Sequence, residues 1–318
     1  MAKRFALLLA AVVLMAGVGL AGQFPSKTIT VLIPKAPGGG TDLTARTMIE
    51  FAKKHLDVNI VGVNKPAAAG VTAMIELARA KPDGYTLGMF VVEYAMLPHL
   101  GRCPVTYKDI TPLACAISAP GVLAVHKDSP YSTLDEFIKF AKDNPGKAKI
   151  GNSGIGSIRH VGIVAMEESL GISVTPVPYD KGTAEAVAAL VGGHIDGVFA
   201  SPGEVITQYK AGNVKILATT NPERVESIPD VPTFAELGYP DVPNLGAWAA
   251  MVAPANLPED VKTILADAFY KAITDPGFKE YMEKQGTDIV QYDAKTTEEM
   301  IKRDHEFYGV YLKKIGIE

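Results

Sequence analysis

The stretch TITVLIPKAPGGGTDLTARTMIEFAKKHL, residues 28–56, changes from one periodicity to another within a few residues. Its first six residues are β-branched or apolar and read as a strand. From about Asp42 to Leu56 the apolar positions recur at helical spacing. Between them lies Pro34-Lys35-Ala36-Pro37-Gly38-Gly39-Gly40-Thr41-Asp42. Three successive glycines let the backbone turn tightly and leave several N–H groups uncovered, and Thr41 or Asp42 is placed to cap the helix. Uncovered N–H groups and the positive end of a helix dipole suit a carboxylate or phosphate, and the turn stands at a strand's carboxyl end, where open α/β sheets take ligands. The same string also satisfies a plain strand-to-helix turn with a capping aspartate. An ionised Asp42 would repel an anion unless it points back into its own helix.

Outward from this turn the strand and helix patterns keep alternating. VNIVGV, a helix near Val71 to Arg79 and YTLGMFV follow, an order that implies a mostly parallel sheet with helices on both faces. The rhythm restarts after VLAVHKD. Thr133 and Glu136 make a capping box for LDEFIKFAKD, Lys149 to Ser153 reads as a strand, and Ser157 to Leu170 reads as a helix ending at Gly171. SVTPVPY, the helix TAEAVAALV, IDGVFAS, a helix over EVITQYKAG and KILATT complete a second α/β unit. Two similar units argue for two lobes. The final third holds a strand from Leu245, three helices and one short strand, Asp288 to Tyr292, too little for a third doubly wound unit, so it is expected to return to the first lobe. That places crossings near residues 118–124 and 243–249, with a ligand cleft between the lobes. The boundaries follow: 22–120 and 247–318 for lobe 1, 121–246 for lobe 2.

The second unit repeats the glycine turn as Gly151-Asn152-Ser153-Gly154-Ile155-Gly156-Ser157-Ile158-Arg159-His160. Two helix N-termini facing one cleft can hold both ends of a short diacid. Ser153 and Ser157 offer hydroxyl groups, and His160 stands one turn into the helix. Helix capping by Ser157 and a core or solvated His160 are the plainer readings. Tyr179-Asp180-Lys181-Gly182-Thr183 forms a third strand-to-helix loop, with Lys181 a candidate charge and Thr183 a cap or donor. Ser201-Pro202-Gly203 ends the next strand and adds Ser201 to the cleft candidates, while His194-Ile195-Asp196 reads as a turn. Trp248, the only tryptophan, falls at the second crossing and suits either packing under the hinge or ligand contact.

At 318 residues the chain has room for about two domains. Its 47% hydrophobic and 21% charged residues exclude a disordered or disulfide-dense scaffold. A net charge of −4 leaves no global field to hold nucleic acid or an anionic membrane, so an anionic partner must be bound locally. Lys3 and Arg4, an apolar run from Phe5 to Met15 and small residues up to Ala21 form a secretory signal, residues 1–21, cleaved near Ala21; an uncleaved anchor is the alternative. Removal of Lys3 and Arg4 takes the net charge from −4 to −6. The mature protein is expected to be soluble outside the cytoplasmic membrane. The chain's two cysteines, Cys103 and Cys115, meet an oxidising compartment there, and a disulfide between them stays open. Six scattered histidines without C-x-x-C or H-E-x-x-H give no metal site.

Catalytic templates fail on spacing. GNSGI has Ile155 where a nucleophile elbow needs its second glycine. GIGSIR lacks the third glycine of a dinucleotide fingerprint, and neither turn continues into Gly-Lys-Ser/Thr, so no cofactor is expected. A formal G-x-G-x-x-G at Gly17–Gly22 belongs to the export signal. A hydrolase using Ser153 or Ser157 with His160 would lack an acid to orient the histidine.

Several strings in order carry a family resemblance: IPKAPGGGTDLTAR, VNKPAAAGVTA, ARAKPDGYTLG, NSGIGSIRHV, PYDKGTAEAVAALVGGHID, GNVKILATTNPERVESIPDVPTFAELGYPDV and APANLPEDV. From about Phe24 to the C-terminus the chain resembles the tripartite tricarboxylate transporter substrate-binding proteins, solute receptors of the Bug type. The resemblance implies a two-lobed periplasmic-binding-protein fold, type II-like, with two doubly wound lobes joined by two crossover strands. It also implies a non-enzymatic role, capturing a small organic acid, a di- or tricarboxylate, for a large and a small membrane subunit of a secondary transporter. A receptor serving a sensor kinase or another importer would use the same cleft. By motif, the ligand residues implied are Gly38, Gly39, Gly40, Thr41 and Asp42, then Ser153, Gly156, Ser157 and His160, then Tyr179, Gly182 and Thr183. VNKPAAAG carries alanines in place of a glycine-rich stretch, Lys35 replaces an aromatic residue, Asp180-Lys181 varies the third loop, and no arginine stands at an obligatory cleft position, so the number of bound carboxylates stays open. Loops near Glu93-Tyr94, Ser118 and Ser201 are the expected discriminators among acids, with Glu93 suited to a ligand amine or to solvent.

Overall fold

A computed structural model describes residues 24–179, 182–285, 287 and 289–317. The export signal, Asp180, Lys181 and Asp288 lie outside the described residues. Among the described residues, eleven strands form two sheets. The first holds, in spatial order, β11 (Ile289–Tyr292), β4 (Ile110–Ala119), β10 (Ala247–Pro254), β3 (Thr86–Val91), β1 (Ile29–Ile33) and β2 (Ile60–Asn64). The second holds β7 (Thr175–Pro178), β6 (Lys149–Asn152), β8 (Gly197–Ala200), β5 (Val122–His126) and β9 (Val214–Thr219). Ten α-helices of the described residues cover them: α1 (Gly40–Ala52), α2 (Val71–Arg79), α3 (Glu93–Met96), α4 (Leu134–Asp143), α5 (Ile158–Leu170), α6 (Thr183–Val191), α7 (Pro202–Lys210), α8 (Glu259–Thr274), α9 (Pro276–Lys284) and α10 (Ala294–Lys314).

Both sheets are mixed, which corrects the mostly parallel expectation. β1 runs parallel to β2 and β3, and β6 parallel to β7 and β8. β10 runs antiparallel to β3 and β4, and β5 antiparallel to β8 and β9. The reason is connectivity. A parallel neighbour requires a crossover helix, whereas β5 and β10 arrive straight from the other lobe. β4 is a second correction, a ten-residue strand not expected from sequence beyond a crossing near its end. It lies between β10 and β11 with Leu113, Ala114, Cys115 and Ala116 fully buried, so ITPLACAISA shows none of the alternation that marks a half-exposed strand.

Local signals behave as their chemistry dictates. The Thr133 hydroxyl accepts from the Glu136 N–H at 3.2 Å, and the Glu136 carboxylate accepts from the Thr133 N–H at 3.2 Å, starting α4. Gly171, at φ 60°, ends α5. Phe90, Met251, Phe269 and Phe278 sit at the centre of the first lobe's core, to which α8, α9 and α10 return. The second sheet is covered on both faces, by Phe137, Ile150 and Met166 on one and Leu190, Val198 and Val205 on the other.

Cys103 and Cys115 are both free and buried. This corrects the pairing left open above. Cys115 donates to the carbonyls of Ile117 at 3.3 Å and Ala249 at 3.5 Å, and burial pushes its thiol up to about 12. Cys103 faces the carbonyl of Val105 at 3.7 Å.

The chain leaves the first sheet at Ala119, enters the second at Val122, and returns between Val242, in the second core, and Leu245, in the first. The two crossings are tied together. Gly121 donates to the Thr220 hydroxyl at 2.9 Å and accepts the Thr220 N–H at 2.8 Å, while Thr220 reaches the Asn244 side chain at 3.3 Å. A Cβ on Gly121 would lie 2.5 Å from the Phe199 ring, so only glycine fits.

Candidate functional site

Sheet direction decides which loops face each other. β1, β2 and β3 are parallel, so Ile33, Asn64 and Val91 end at one edge of the first sheet, and β4 ends and β10 begins at that same edge. β6, β7 and β8 likewise end together, at the edge where β5 begins. Both crossings join these two edges. The glycine turn after β1 and the turns after β6, β7 and β8 therefore stand at the two edges that the crossings join, the carboxyl-end position that ligands favour in α/β sheets.

The first turn is held from behind. Gly38 adopts φ 83°, Gly39 is the N-cap, and α1 starts without a side-chain cap, so Thr41 and Asp42 do not cap it as expected. Asp42 sits instead in the first turn of α1 and is buried. Its carboxylate accepts the Gly38 N–H at 2.9 Å, Arg46 Nε at 2.9 Å and Asn64 Nδ2 at 2.8 Å. Burial raises its pKa, but these three donors outweigh it and hold the carboxyl below the ordinary range. Asp42 thus points into its own loop and presents no free charge to the cleft. The N–H groups of Gly40, Thr41 and Asp42 meet no acceptor among the described residues, and a Cβ at Gly38 or Gly40 would touch nothing within 4 Å. An uncovered, donor-rich surface results.

Two neighbours shape this surface. Lys35 pairs with Glu93 at 3.4 Å, so Glu93 is neither simply solvated nor free for a ligand amine. Ala68, Ala69 and Gly70 all take positive φ ahead of α2, and a Cβ on Gly70 would fall 2.3 Å from both the Pro34 carbonyl oxygen and the Tyr94 hydroxyl. The segment packs against the base of the glycine turn where only Gly70 fits.

In the second lobe, Asn152 Oδ1 accepts the Gly154 N–H at 2.9 Å and Ser157 caps α5 by accepting the His160 N–H at 3.2 Å. His160 Nδ1 accepts the Gly156 N–H at 3.2 Å, and burial lowers the imidazole's affinity for a proton. The Ser157 hydroxyl oxygen thus meets a main-chain N–H, and His160 Nδ1 is engaged by Gly156. The Ser153 hydroxyl and the N–H groups of Ile158 and Arg159 have no partner among the described residues. The Tyr179 N–H donates to the Asn152 carbonyl at 3.0 Å, bringing the third loop alongside; Gly182, at φ 96°, caps α6 and Thr183 is buried. Ser201 is committed to its own helix, its N–H and hydroxyl both meeting Glu204 Oε2, at 2.7 and 2.8 Å. Trp248 packs under the crossings, its Nε1 donating to Asp304 at 2.6 Å and its ring stacked 6.2 Å from Phe90.

Sequence reasoning passed over Arg159. The residue is 3% exposed, and its guanidinium lies 3.5 Å from both the Pro120 carbonyl at the first crossing and the Glu204 carboxylate. Arginine at the second position of a helix reads as a solvated charge, and only the packing of α5 across the crossings reveals otherwise. Ile158, Val161 and Ala165 of α5 join the first lobe's core, and Lys314 of α10 pairs with Glu168 at 3.1 Å, so this helix contacts both lobes. Surface depressions of about 410 Å³ beside Arg46 and Val61, and about 300 Å³ beside His99 and Leu312, lie away from these turns.

The family model of the tripartite tricarboxylate transporter family receptor matches residues 44–317. A UPF0065 protein of Bordetella pertussis is 31% identical over 300 residues, 94% of this chain and 92% of its own. A TctC solute-binding protein from Polaromonas superposes with a TM-score of 0.79 at 28% identity, over 92% of this chain and 99% of its own. MatC from Rhodopseudomonas palustris, solved with bound malate, superposes with a TM-score of 0.78 at 28% identity, over 91% of this chain and all of its own. With the two-lobed fold, the convergent turns and a match over most of its length, the chain belongs to the tripartite tricarboxylate transporter receptor family, whose members are periplasmic solute receptors.

Proposed function

We propose that the protein captures a small organic acid, a di- or tricarboxylate, in the periplasm and hands it to the large and small membrane subunits of a secondary transporter, without transforming it. The observation that carries this reading is a surplus of donors at the cleft. The N–H groups of Gly40, Thr41, Asp42, Ile158 and Arg159 are open, as is the Ser153 hydroxyl, while Asp42, Glu93 and Glu204 are each occupied by neighbouring donors. A ligand rich in acceptors fits such a surface, and charge-assisted bonds from main-chain N–H groups are the stronger kind. The malate held by MatC supports the same ligand class.

On this reading the chain is exported and cleaved near Ala21 and acts as a monomer. Lobe 1 comprises residues 22–120 and 247–318, lobe 2 residues 121–246. Gly38 to Asp42 and Ser153, Gly156, Ser157, His160, Tyr179, Gly182 and Thr183 form the ligand shell, with Asp42 and His160 shaping it from behind and Ser201 at its rim. The test is a thermal-shift screen of mature protein, freed of ligand by unfolding and refolding, against organic acids, amino acids and sugars. An acid at 100 times its Kd adds about 2.7 kcal/mol of stability, a readily seen shift. Expected is a shift confined to carboxylates and weakened in Ser153→Ala, which removes the open hydroxyl. A shift from a neutral compound with none from any acid overturns the reading.

A further inference from the structure

Asp42 and Arg159 are the charged residues buried to below 5% exposure among the described residues, and the fold treats them oppositely. Asp42 has three donors at 2.8–2.9 Å. Arg159 carries five N–H donors on a group that does not deprotonate, yet its contacts, Nη1 to the Pro120 carbonyl and Nη2 to Glu204 Oε2, are both at 3.5 Å, the outer limit of useful geometry. That Glu204 oxygen is already taken at 2.7 and 2.8 Å by the N–H and hydroxyl of Ser201.

Among the described residues, no other carboxylate nearby is free to serve. The buried Tyr308 hydroxyl is pushed well above its ordinary value by burial first and then by Asp304 and Glu93, with Arg303 and Arg159 acting in the opposite direction, which gathers these groups around it. Asp304 is held by Trp248 at 2.6 Å and by Arg303 at 2.8 Å, and Glu93 by Lys35. The same β6-to-α5 turn holds another donor without an acceptor, the fully buried Nδ2 of Asn152. A buried cation with only weak partners is costly, as is a buried amide donor left unsatisfied.

We propose that Arg159 receives a second carboxylate of the ligand at the floor of the cleft, through paired N–H donors, and so selects dicarboxylates and tricarboxylates over monocarboxylates of the same length. This rests on the reading of the glycine turns as a carboxylate cleft. Planar guanidinium and carboxylate match two bonds at a time, which an ammonium does not.

Calorimetric titration of the refolded, ligand-free mature protein with succinate against butyrate, and adipate against hexanoate, tests it together with Arg159→Gln and Arg159→Lys. Expected is a preference of tenfold or more for a diacid in the natural protein. In Arg159→Gln the diacid-to-monoacid preference should fall at least tenfold, and Arg159→Lys should recover part of it. Equal affinity for diacid and monoacid in the natural protein overturns the proposal, as does a preference unchanged in either variant. Should Arg159→Gln fail to fold, Arg159→Lys supplies the same ratio. Absence of all acid binding by the natural protein overturns the receptor reading itself, a result distinct from acid binding indifferent to Arg159.

Discussion

Asp42→Asn is the sharpest test of how the first glycine turn is held. The carboxylate accepts from Gly38, Arg46 and Asn64, and an amide in its place keeps one acceptor oxygen while turning an NH2 group toward a donor. Hydrogen bonds to a charged acceptor contribute about 1.5–3 kcal/mol each. The Arg46 side chain is 48% exposed, so water screens that ion pair and its share falls below about 1 kcal/mol. A net loss of about 2–3 kcal/mol follows, roughly 4–12 °C in Tm at about 2–4 °C per kcal/mol for a domain of this size. Urea unfolding of the ligand-free proteins measures it. The pH dependence has a definite sign: the folded-state pKa lies below the unfolded value of about 3.9, so the contribution is complete above that value and disappears as pH falls through the folded one. The gap between natural protein and variant should hold from about pH 8 to 5 and close below about pH 4. A gap under about 0.5 kcal/mol at pH 7 refutes the reasoning, because that is the range of an ordinary surface change.

Gly70→Ala should be more damaging, at about 3–5 kcal/mol, since it adds left-handed strain at φ 88° to a 2.3 Å clash with Pro34 and Tyr94; a chemical melt superimposable on that of the natural protein would show that the wedge is not as tight as the geometry says. Cys103 and Cys115 should resist a thiol reagent in the native state and give two equivalents after denaturation, and reductant should leave Tm unmoved; a drop in Tm with reductant would mean that the thiols are joined in the exported protein.

Much of the fold is legible along the chain because local chemistry and final structure agree there. The Thr133/Glu136 box, the Gly171 stop and the switch from strand to helix at Gly38-Gly39-Gly40 are set by groups a few residues apart. β4 was not legible. Its residues are buried on both faces, and only the arrival of Ala247–Pro254 from more than a hundred residues away creates its partner. The site divides in the same way. The two glycine turns and the loop at Gly182 stand out by composition, whereas Ser201 looks like a ligand group until Glu204 is seen to hold its hydroxyl.

The sequence by itself determined the helix N-termini, their open N–H groups and the α/β order of each unit, because these depend on glycine torsions and periodicity within single elements. Tertiary structure decided which ends face each other, through the antiparallel entry of β5 and β10, and it decided the fate of each charge. Asp42 and Arg159 both stand in the first turn of a glycine-led helix, but one is surrounded by donors at 2.8–2.9 Å while the other meets two acceptors at 3.5 Å. Electrostatic satisfaction depends on what the rest of the fold brings within about 3 Å, and that information is absent from any local stretch of chain.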